Sequence, residues 1–301
     1  MIRCATALPR WFGFGGLWLA VLLGASPCSG AAAERDAPGP AAVTVPFRLV
    51  HGLVMVKGSL EGQTGLTWIV DTGASQTIIT PACLASALPR RQAPLAWRMQ
   101  TYTAQSLCAQ DACVRRLPVA VFDPPQAAPL RLDHGTDYHG LLGYTFLCRF
   151  TATFDFPAGV LRLAPPPTPA AARSPAPRGA VAFQLVNHLV YVPVSINGAA
   201  PLAMIVDTGA AENLILPEAA ARVGLRVQPT SLQGVSRGVA GECRVGNESQ
   251  SGVPFVVHRL VREGLSRLDY DGILGTPFLS AFVLTLDYRR STLTLSRPPP
   301  P

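Results

Sequence analysis

The sequence predicts an all-β chain of two related lobes, with few and short helices. Proline and glycine are abundant, 29 and 27 of 301 residues, which favours short strands joined by many turns. Apolar residues alternate with polar ones through stretches such as 53–60 and 189–196. The tetrapeptide Asp-Thr-Gly-Ala also stands twice, in "LTWIVDTGAS" (66–75) and "LAMIVDTGAA" (202–211), each time at the end of an apolar run.

Setting the two motifs in register requires an offset of 207 − 71 = 136 residues, and the preceding residues then match without a gap. "LVMVKGSLEGQTGLTWIVDTGA" (53–74) lies over "LVYVPVSINGAAPLAMIVDTGA" (189–210). The breaks at Glu61-Gly62 and Asn197-Gly198 read as hairpin turns, each followed by a further strand. A second block repeats at an offset of 269 − 137 = 132: "DYHGLLGYTFLCRFTATFDFPAGVLRL" (137–163) over "DYDGILGTPFLSAFVLTLDYRRSTLTL" (269–295). Both copies read Asp-Tyr-x-Gly-apolar-Leu-Gly and then two strands joined by a turn. The frame of each half is therefore duplicated, while the middle segments 75–136 and 211–268 have drifted. Two lobes are expected, 46–163 and 181–296, joined by a Pro/Ala-rich connector over 164–180 with polyproline II character. "PEAAARVGL" (217–225) predicts a short helix that stops at Gly224.

Composition narrows the function classes. With 49% hydrophobic and 14% charged residues the chain can bury a substantial core. Arg3 and Arg10 precede an apolar run at 11–25, too short to span a bilayer comfortably, and Ala31-Ala32-Ala33 offers an Ala-x-Ala cleavage site. Residues 1–33 read as a signal peptide, so the mature chain is expected to be a bacterial exported protein, periplasmic or secreted, without stable membrane insertion. Pro27 before Cys28 argues against lipidation. Without Arg3 and Arg10 the charge of +7 falls to 23 − 18 = +5, carried by scattered arginines and the single lysine, Lys57. No basic stripe interleaved with aromatics is present, so nucleic-acid binding has no support.

Of seven cysteines, five remain after the leader. Cys108 and Cys113 are placed to close a local loop, Cys83 and Cys148 to form a second bridge, and Cys243 is left over as a buried or free thiol. With one close cysteine pair and no histidines at ligand spacing beside it, neither a metal nor another cofactor is expected.

The chemistry rests on Asp71 and Asp207. β-Branched residues deliver each aspartate into a turn, and the glycine two places on permits a tight backbone and close approach of another chain. One such aspartate is ordinarily a structural turn residue. In a duplicated fold, a pseudo-twofold axis places equivalent residues opposite each other. Two adjoining carboxylates share one proton, giving a general base and a general acid in a single site. That pair suits hydrolysis of a peptide bond by water, without metal or covalent intermediate.

These residues resemble the aspartic proteases, in particular the bacterial retropepsin-like group, with two tandem copies fused as in pepsin-like enzymes. The resemblance rests on "IVDTGAS", "IVDTGAA" and the partner strands "GLLG" (140–143) and "GILG" (272–275). It implies two retropepsin-like β-barrel lobes and catalytic roles for Asp71 and Asp207. It further implies loop support from Thr72, Gly73, Ala74, Thr208, Gly209 and Ala210, the threonines reaching across to lock the opposite loop. A flap hairpin is expected in each half, at "GVSRGVAG" (234–241) in the second. In the first, "TYTAQSLCAQDAC" (101–113) is expected in that place, pinned by Cys108–Cys113, with Tyr102 either a flap aromatic or an ordinary strand tyrosine. The implied substrate is a polypeptide, and the implied assembly a monomeric pseudo-dimer or a homodimer. Ala74 and Ala210 stand where two-lobed pepsins carry a hydroxyl that donates to the carboxylate, so the activity optimum should be less acidic than a gastric enzyme's. A non-catalytic peptide-binding protein on the same fold is the alternative. An actin-like ATPase would need a longer chain and further phosphate loops. His139, at the repeat position of Asp271, is read as a packing residue because a carboxylate pair needs no imidazole.

Overall fold

The computed structural model describes residues 42–88, 100–122, 138–259 and 269–297. The leader 1–33, with Ala31–Ala33 and Cys28, and the Pro298–Pro301 tail lie outside the described residues.

The first half runs β1 (Val43–Val50), β2 (Leu53–Leu60), β3 (Gln63–Val70), β4 (Ile78–Ile79), α1 (Pro81–Ala87), β5 (Gln100–Ala109), β6 (Ala112–Val121), β7 (Gly140–Leu142), α2 (Tyr144–Leu147), β8 (Thr151–Asp155) and β9 (Val160–Ala164). A short helix, α3 (Pro169–Ala172), stands in the connector. The second half runs β10 (Val181–Ala182), β11 (Gln184–Val186), β12 (Leu189–Ile196), β13 (Leu202–Val206), β14 (Leu214–Ile215), α4 (Pro217–Arg222), β15 (Val227–Pro229), β16 (Ser236–Val245), β17 (Glu248–Val257), β18 (Gly272–Leu274), α5 (Thr276–Leu279), β19 (Val283–Asp287) and β20 (Thr292–Ser296).

Each half closes a six-stranded barrel. In the first the order is β2-β3-β7-β4-β6-β5, closed where Gly58 and Leu60 of β2 pair with Ala109 and Leu107 of β5. In the second it is β12-β13-β18-β14-β17-β16, closed where Ser195 and Ile196 meet Arg244 and Cys243. The turns behave as their residues dictate. Glu61-Gly62 and Asn197-Gly198 all take positive φ, the conformation that twists a tight hairpin the right way. Closure removes most free edges and leaves one side of each strand facing a dry interior. Trp68, Phe146, Phe154, Phe255, Phe278 and Phe282 fill that interior. The duplication survives in the packing: Phe146 and Phe150 tilt against each other at 5.3 Å and 44°, and their repeat equivalents Phe278 and Phe282 at 5.2 Å and 43°.

A third sheet joins the halves, in the order β10-β20-β19-β8-β9-β1, three strands from each. At its centre β8 and β19 run antiparallel with Thr153 opposite Thr285, their hydroxyl oxygens 2.9 Å apart. These two residues are repeat equivalents, so the local twofold of this antiparallel pair is the axis relating the lobes. β1 serves two sheets, pairing with β9 through Val43–Pro46 and with β2 through Phe47–Val50.

Three expectations need correction. The connector is not wholly extended: Thr168 caps one helical turn by accepting from the Ala171 N–H, and Arg290 donates to the Ala171 carbonyl at 2.6 Å. A capping threonine, proline at the first helical position and three alanines override the proline-rich context. The Cys108–Cys113 bridge forms, but Cys83 does not pair with Cys148; it is a free, buried thiol, as is Cys243. Cys148 is itself disulfide-bonded and so is not available to Cys83, whose thiol burial pushes up to about 12. The third correction concerns the first-half flap. The 101–113 hairpin is β5–β6, and its disulfide-bearing end closes the barrel against β2. Gly58, Ser59 and Leu60 there lie at the end of the β2–β3 hairpin far from Asp71. Tyr102 bonds Glu61 at that same end, so it is no flap aromatic. In the second half, β15 and β16 form the short hairpin that the first half would match before Gln100, where residues 89–99 lie outside the described ones. The turn at 230–235 contains Gly234 with φ of 74°, and "GVSRGVAG" supplies its second arm.

Candidate active site

Asp71 and Asp207 end β3 and β13, the strands that run parallel to the short central strands β7 and β18. The Asp71 N–H donates to Leu142 at 3.0 Å and the Asp207 N–H to Leu274 at 2.9 Å, which fixes the point where each chain leaves its sheet. Beyond it, each loop folds around the partner strand. Ala74 and Ala210 accept from the N–H groups of Tyr144 and Thr276, both at 2.9 Å. A side chain at Gly143 would come within 2.8 Å of the Ala74 carbonyl, and one at Gly275 within 2.6 Å of the Ala210 carbonyl. Nothing larger than glycine passes through these loops.

The two loops then grip each other. Thr72 Oγ1 donates to the Val206 carbonyl and Thr208 Oγ1 to the Val70 carbonyl, each at 2.8 Å. In return the Thr208 N–H donates to Thr72 Oγ1 at 3.0 Å and the Thr72 N–H to Thr208 Oγ1 at 3.1 Å. All six groups are backbone or hydroxyl, and all are buried and partnered, as a dry interface demands.

Held this way, each carboxylate lies against the glycine of the opposite motif. A Cβ on Gly73 would fall 2.6 Å from Asp207 Oδ1, and one on Gly209 2.6 Å from Asp71 Oδ2. Gly73 and Gly209 do not take positive φ; what they supply is clearance rather than an unusual backbone. Asp71 Oδ1 accepts the Gly73 N–H at 2.8 Å, and Asp207 Oδ1 the Gly209 N–H at 2.7 Å. Asp71 is 0% and Asp207 2% exposed. Both carboxylates are thus buried, a cost offset here by the glycine N–H each accepts.

The residues around the motifs include several that the sequence did not flag. Asn213 ties the second loop to its partner strand, accepting from Gly275 N–H at 2.9 Å and donating to Pro254 at 3.0 Å. At the repeat position Thr77 does the related work with Thr145. Arg237 on β16 pairs with Glu212 at 2.9 Å, joining the base of the β15–β16 hairpin to the Asp207 loop. His188, from the turn between β11 and β12, stacks on Tyr144 at 4.4 Å and 8°, and Tyr288 packs its edge against Tyr144. Burial first, then Tyr144 and the charge of Asp71, push the Tyr288 phenol far up. These contacts join residues 25 or more positions apart, beyond any local signal.

His139 holds the packing place expected of it. Its Nδ1 accepts the Thr67 N–H at 3.0 Å, while Asp271 accepts the equivalent Ala203 N–H at 2.8 Å. Among the described residues no group of three or more His, Cys, Asp or Glu is placed to hold a metal.

Residues 192–278, which contain Asp207 and the Gly272–Leu274 strand, match the family described as aspartyl protease. That supports the resemblance drawn from the second motif and its partner strand. Among solved structures the chain is similar to the aspartic proteinase from Irpex lacteus, at 14% identity and a TM-score of 0.49, covering 85% of this chain and 97% of that one. No curated protein matches it.

Proposed function

We propose that the chain is an aspartic endopeptidase, hydrolysing peptide bonds with a water activated between Asp71 and Asp207. The charged member of the pair takes a proton from that water, and the protonated member donates to the carbonyl oxygen of the bond being cut. The water oxygen bonds to the carbonyl carbon to give a tetrahedral gem-diol. As this collapses the C–N bond breaks, the proton taken from water passes to the leaving amine, and one gem-diol hydroxyl returns its proton to the other carboxylate, which restores the starting state of the pair. The observation that carries this reading is the reciprocal contact in which each aspartate lies against the opposite Asp-Thr-Gly glycine. The Thr72–Thr208 grip supports it by fixing both carboxylates before substrate arrives, which spares reorganisation during the reaction.

The substrate is read as an extended polypeptide between the lobes, and the assembly as one chain supplying both halves. Export through residues 1–33 is part of the same proposal, and the Cys108–Cys113 bridge fits an oxidising compartment.

The test is incubation of the mature protein with a mixed peptide library across pH 3–8, with and without a statine-type transition-state mimic. Internal cleavage that the mimic blocks and that Asp207→Asn abolishes is the expected result. A cleaving preparation indifferent to Asp207→Asn would overturn the mechanism. Tight peptide binding without cleavage would favour the non-catalytic alternative.

A further inference from the structure

Away from the aspartates, the internal duplication builds one hollow twice and lines it with different chemistry. The first, of about 550 Å³, lies on the outer side of β1–β3. The second, of about 660 Å³, lies on β11–β13. The offset of 136 carries Phe47, Arg48, Val56 and Lys57 onto Phe183, Gln184, Val192 and Pro193, residues that line the second hollow. The fold therefore makes the cavity, and each half's own side chains decide what enters it.

Strand register places the difference on one face. Arg48 pairs with Met55 and Lys57 with Thr67, so these four project to the same side, opposite to core residues Val54, Val56 and Trp68. His139 joins the row through its bond to the Thr67 N–H. The second half carries Gln184, Tyr191, Pro193, Ala203 and Asp271 at the equivalent places. A row with Arg, Lys and His has become one with a single acid.

Arg48 and Lys57 enter no ion pair among the described residues, although seven other arginines do. No acidic residue lines the first hollow among those described. Lys57 Nζ is held by Thr67 Oγ1 at 2.8 Å, which points a fixed ammonium along the hollow. Met55, on the same face, adds apolar wall. Unpaired cations in a concave, partly apolar setting concentrate positive potential where an anion would sit.

We propose that this hollow is an accessory site for an acidic polypeptide segment, with Arg48 and Lys57 taking its carboxylates and Met55 lying on the same face beneath them. The choice of polypeptide rests on the proteolytic reading above. Thr67, with Lys57 opposite it on β2, lies four residues before Asp71 along β3, about 13 Å of strand, so the site meets residues remote from the bond being cut. Acidic residues there would tighten substrate binding and leave the chemical step unchanged.

The experiment measures a fluorescein-labelled glutamate-rich peptide against full-length Asp207→Asn protein by anisotropy. A lysine-rich peptide and inorganic phosphate serve as separate probes. The expected result is binding that weakens with salt and falls about tenfold or more in Arg48→Gln/Lys57→Gln, with no binding of the lysine-rich peptide. Lys57→Glu should weaken the glutamate-rich peptide further and admit the lysine-rich one. Equal affinity in the double variant, or salt-independent binding by the parent, overturns the proposal. Phosphate that binds in an Arg48- and Lys57-dependent way while the peptide does not would make this a small-anion site and overturn it too. Loss of the proteolytic reading would leave this binding intact, whereas absence of binding would leave cleavage of a neutral peptide unaffected.

Discussion

Thr72 and Thr208 each serve as donor and acceptor to the other's loop: the hydroxyl of one bonds the carbonyl before the opposite aspartate and receives the opposite threonine's N–H. Four buried bonds thus depend on two side chains that stand 136 positions apart.

Replacing Thr72 by Ala removes one donor and one acceptor and strands the Val206 carbonyl and the Thr208 N–H. A buried polar group left without a partner costs about 1–3 kcal/mol, so Thr72→Ala should lose ~2–4 kcal/mol in urea unfolding. Thr72→Ser keeps the hydroxyl and should stay within about 1 kcal/mol of the parent. Equal stability of the two variants would show that the grip contributes little.

Gly209→Ala places a methyl group against the Asp71 carboxylate, and the displaced acid no longer matches its partner. A shift of this size costs about 100-fold in kcat/KM, while far-ultraviolet circular dichroism should remain native. Gly143→Ala acts differently. Its methyl meets backbone, so the expected loss is ~1–3 kcal/mol or more of stability, read as a lowered Tm.

A shared proton gives a bell-shaped pH–rate profile whose two limbs belong to the pair. Because Ala74 and Ala210 bring no hydroxyl to the carboxylates, the peak should lie well above the strongly acidic range. Ala74→Ser adds a donor that favours the charged form, which should move the acid limb towards lower pH. An acid limb unmoved by that change, or a peak near pH 2, contradicts this account.

Cys83 and Cys243 should resist alkylation in the native protein. Burial pushes both thiols up to about 12, with Glu242 adding to the effect at Cys243. At pH 8 only about one thiol in ten thousand is then ionised, against about one in ten for an ordinary cysteine. Iodoacetamide at pH 8 should therefore mark these two peptides only after denaturation. The folded values exceed the unfolded one of 9.0, so stability is whole below pH 9 and declines as pH climbs towards 12.

His188 supplies an acid-side counterpart. Desolvation against Tyr144 lowers its imidazole from the usual 6.5, so the unfolded chain binds the proton more readily. The stacked neutral ring contributes stability above pH 6.5, and that contribution is lost as pH falls through the lowered value. In His188→Asn the fall in Tm on acidification below pH 6.5 should be shallower than in the parent. An unchanged slope would show that the stack does not sense the proton.

What the sequence determined by itself is local or repeated. Alternating apolar residues specified strands, Glu61-Gly62 and Asn197-Gly198 specified tight turns, and Pro217 with Gly224 bounded a helix. The doubled motifs revealed the duplicated frame, because backbone preference and periodicity act over a few residues and leave their mark in composition and order. Tertiary structure alone decided which distant groups meet. It set the Thr72–Thr208 grip, the lodging of each carboxylate on the opposite glycine, and the β8–β19 pairing around Thr153 and Thr285. It turned the disulfide hairpin into a barrel closure and kept Cys83 from Cys148. It also gathered Arg48, Lys57 and His139 into one hollow while their counterparts lost the charge. Such outcomes depend on closing loops of tens to more than a hundred residues, where local preference is silent and close packing of the whole chain chooses the neighbours.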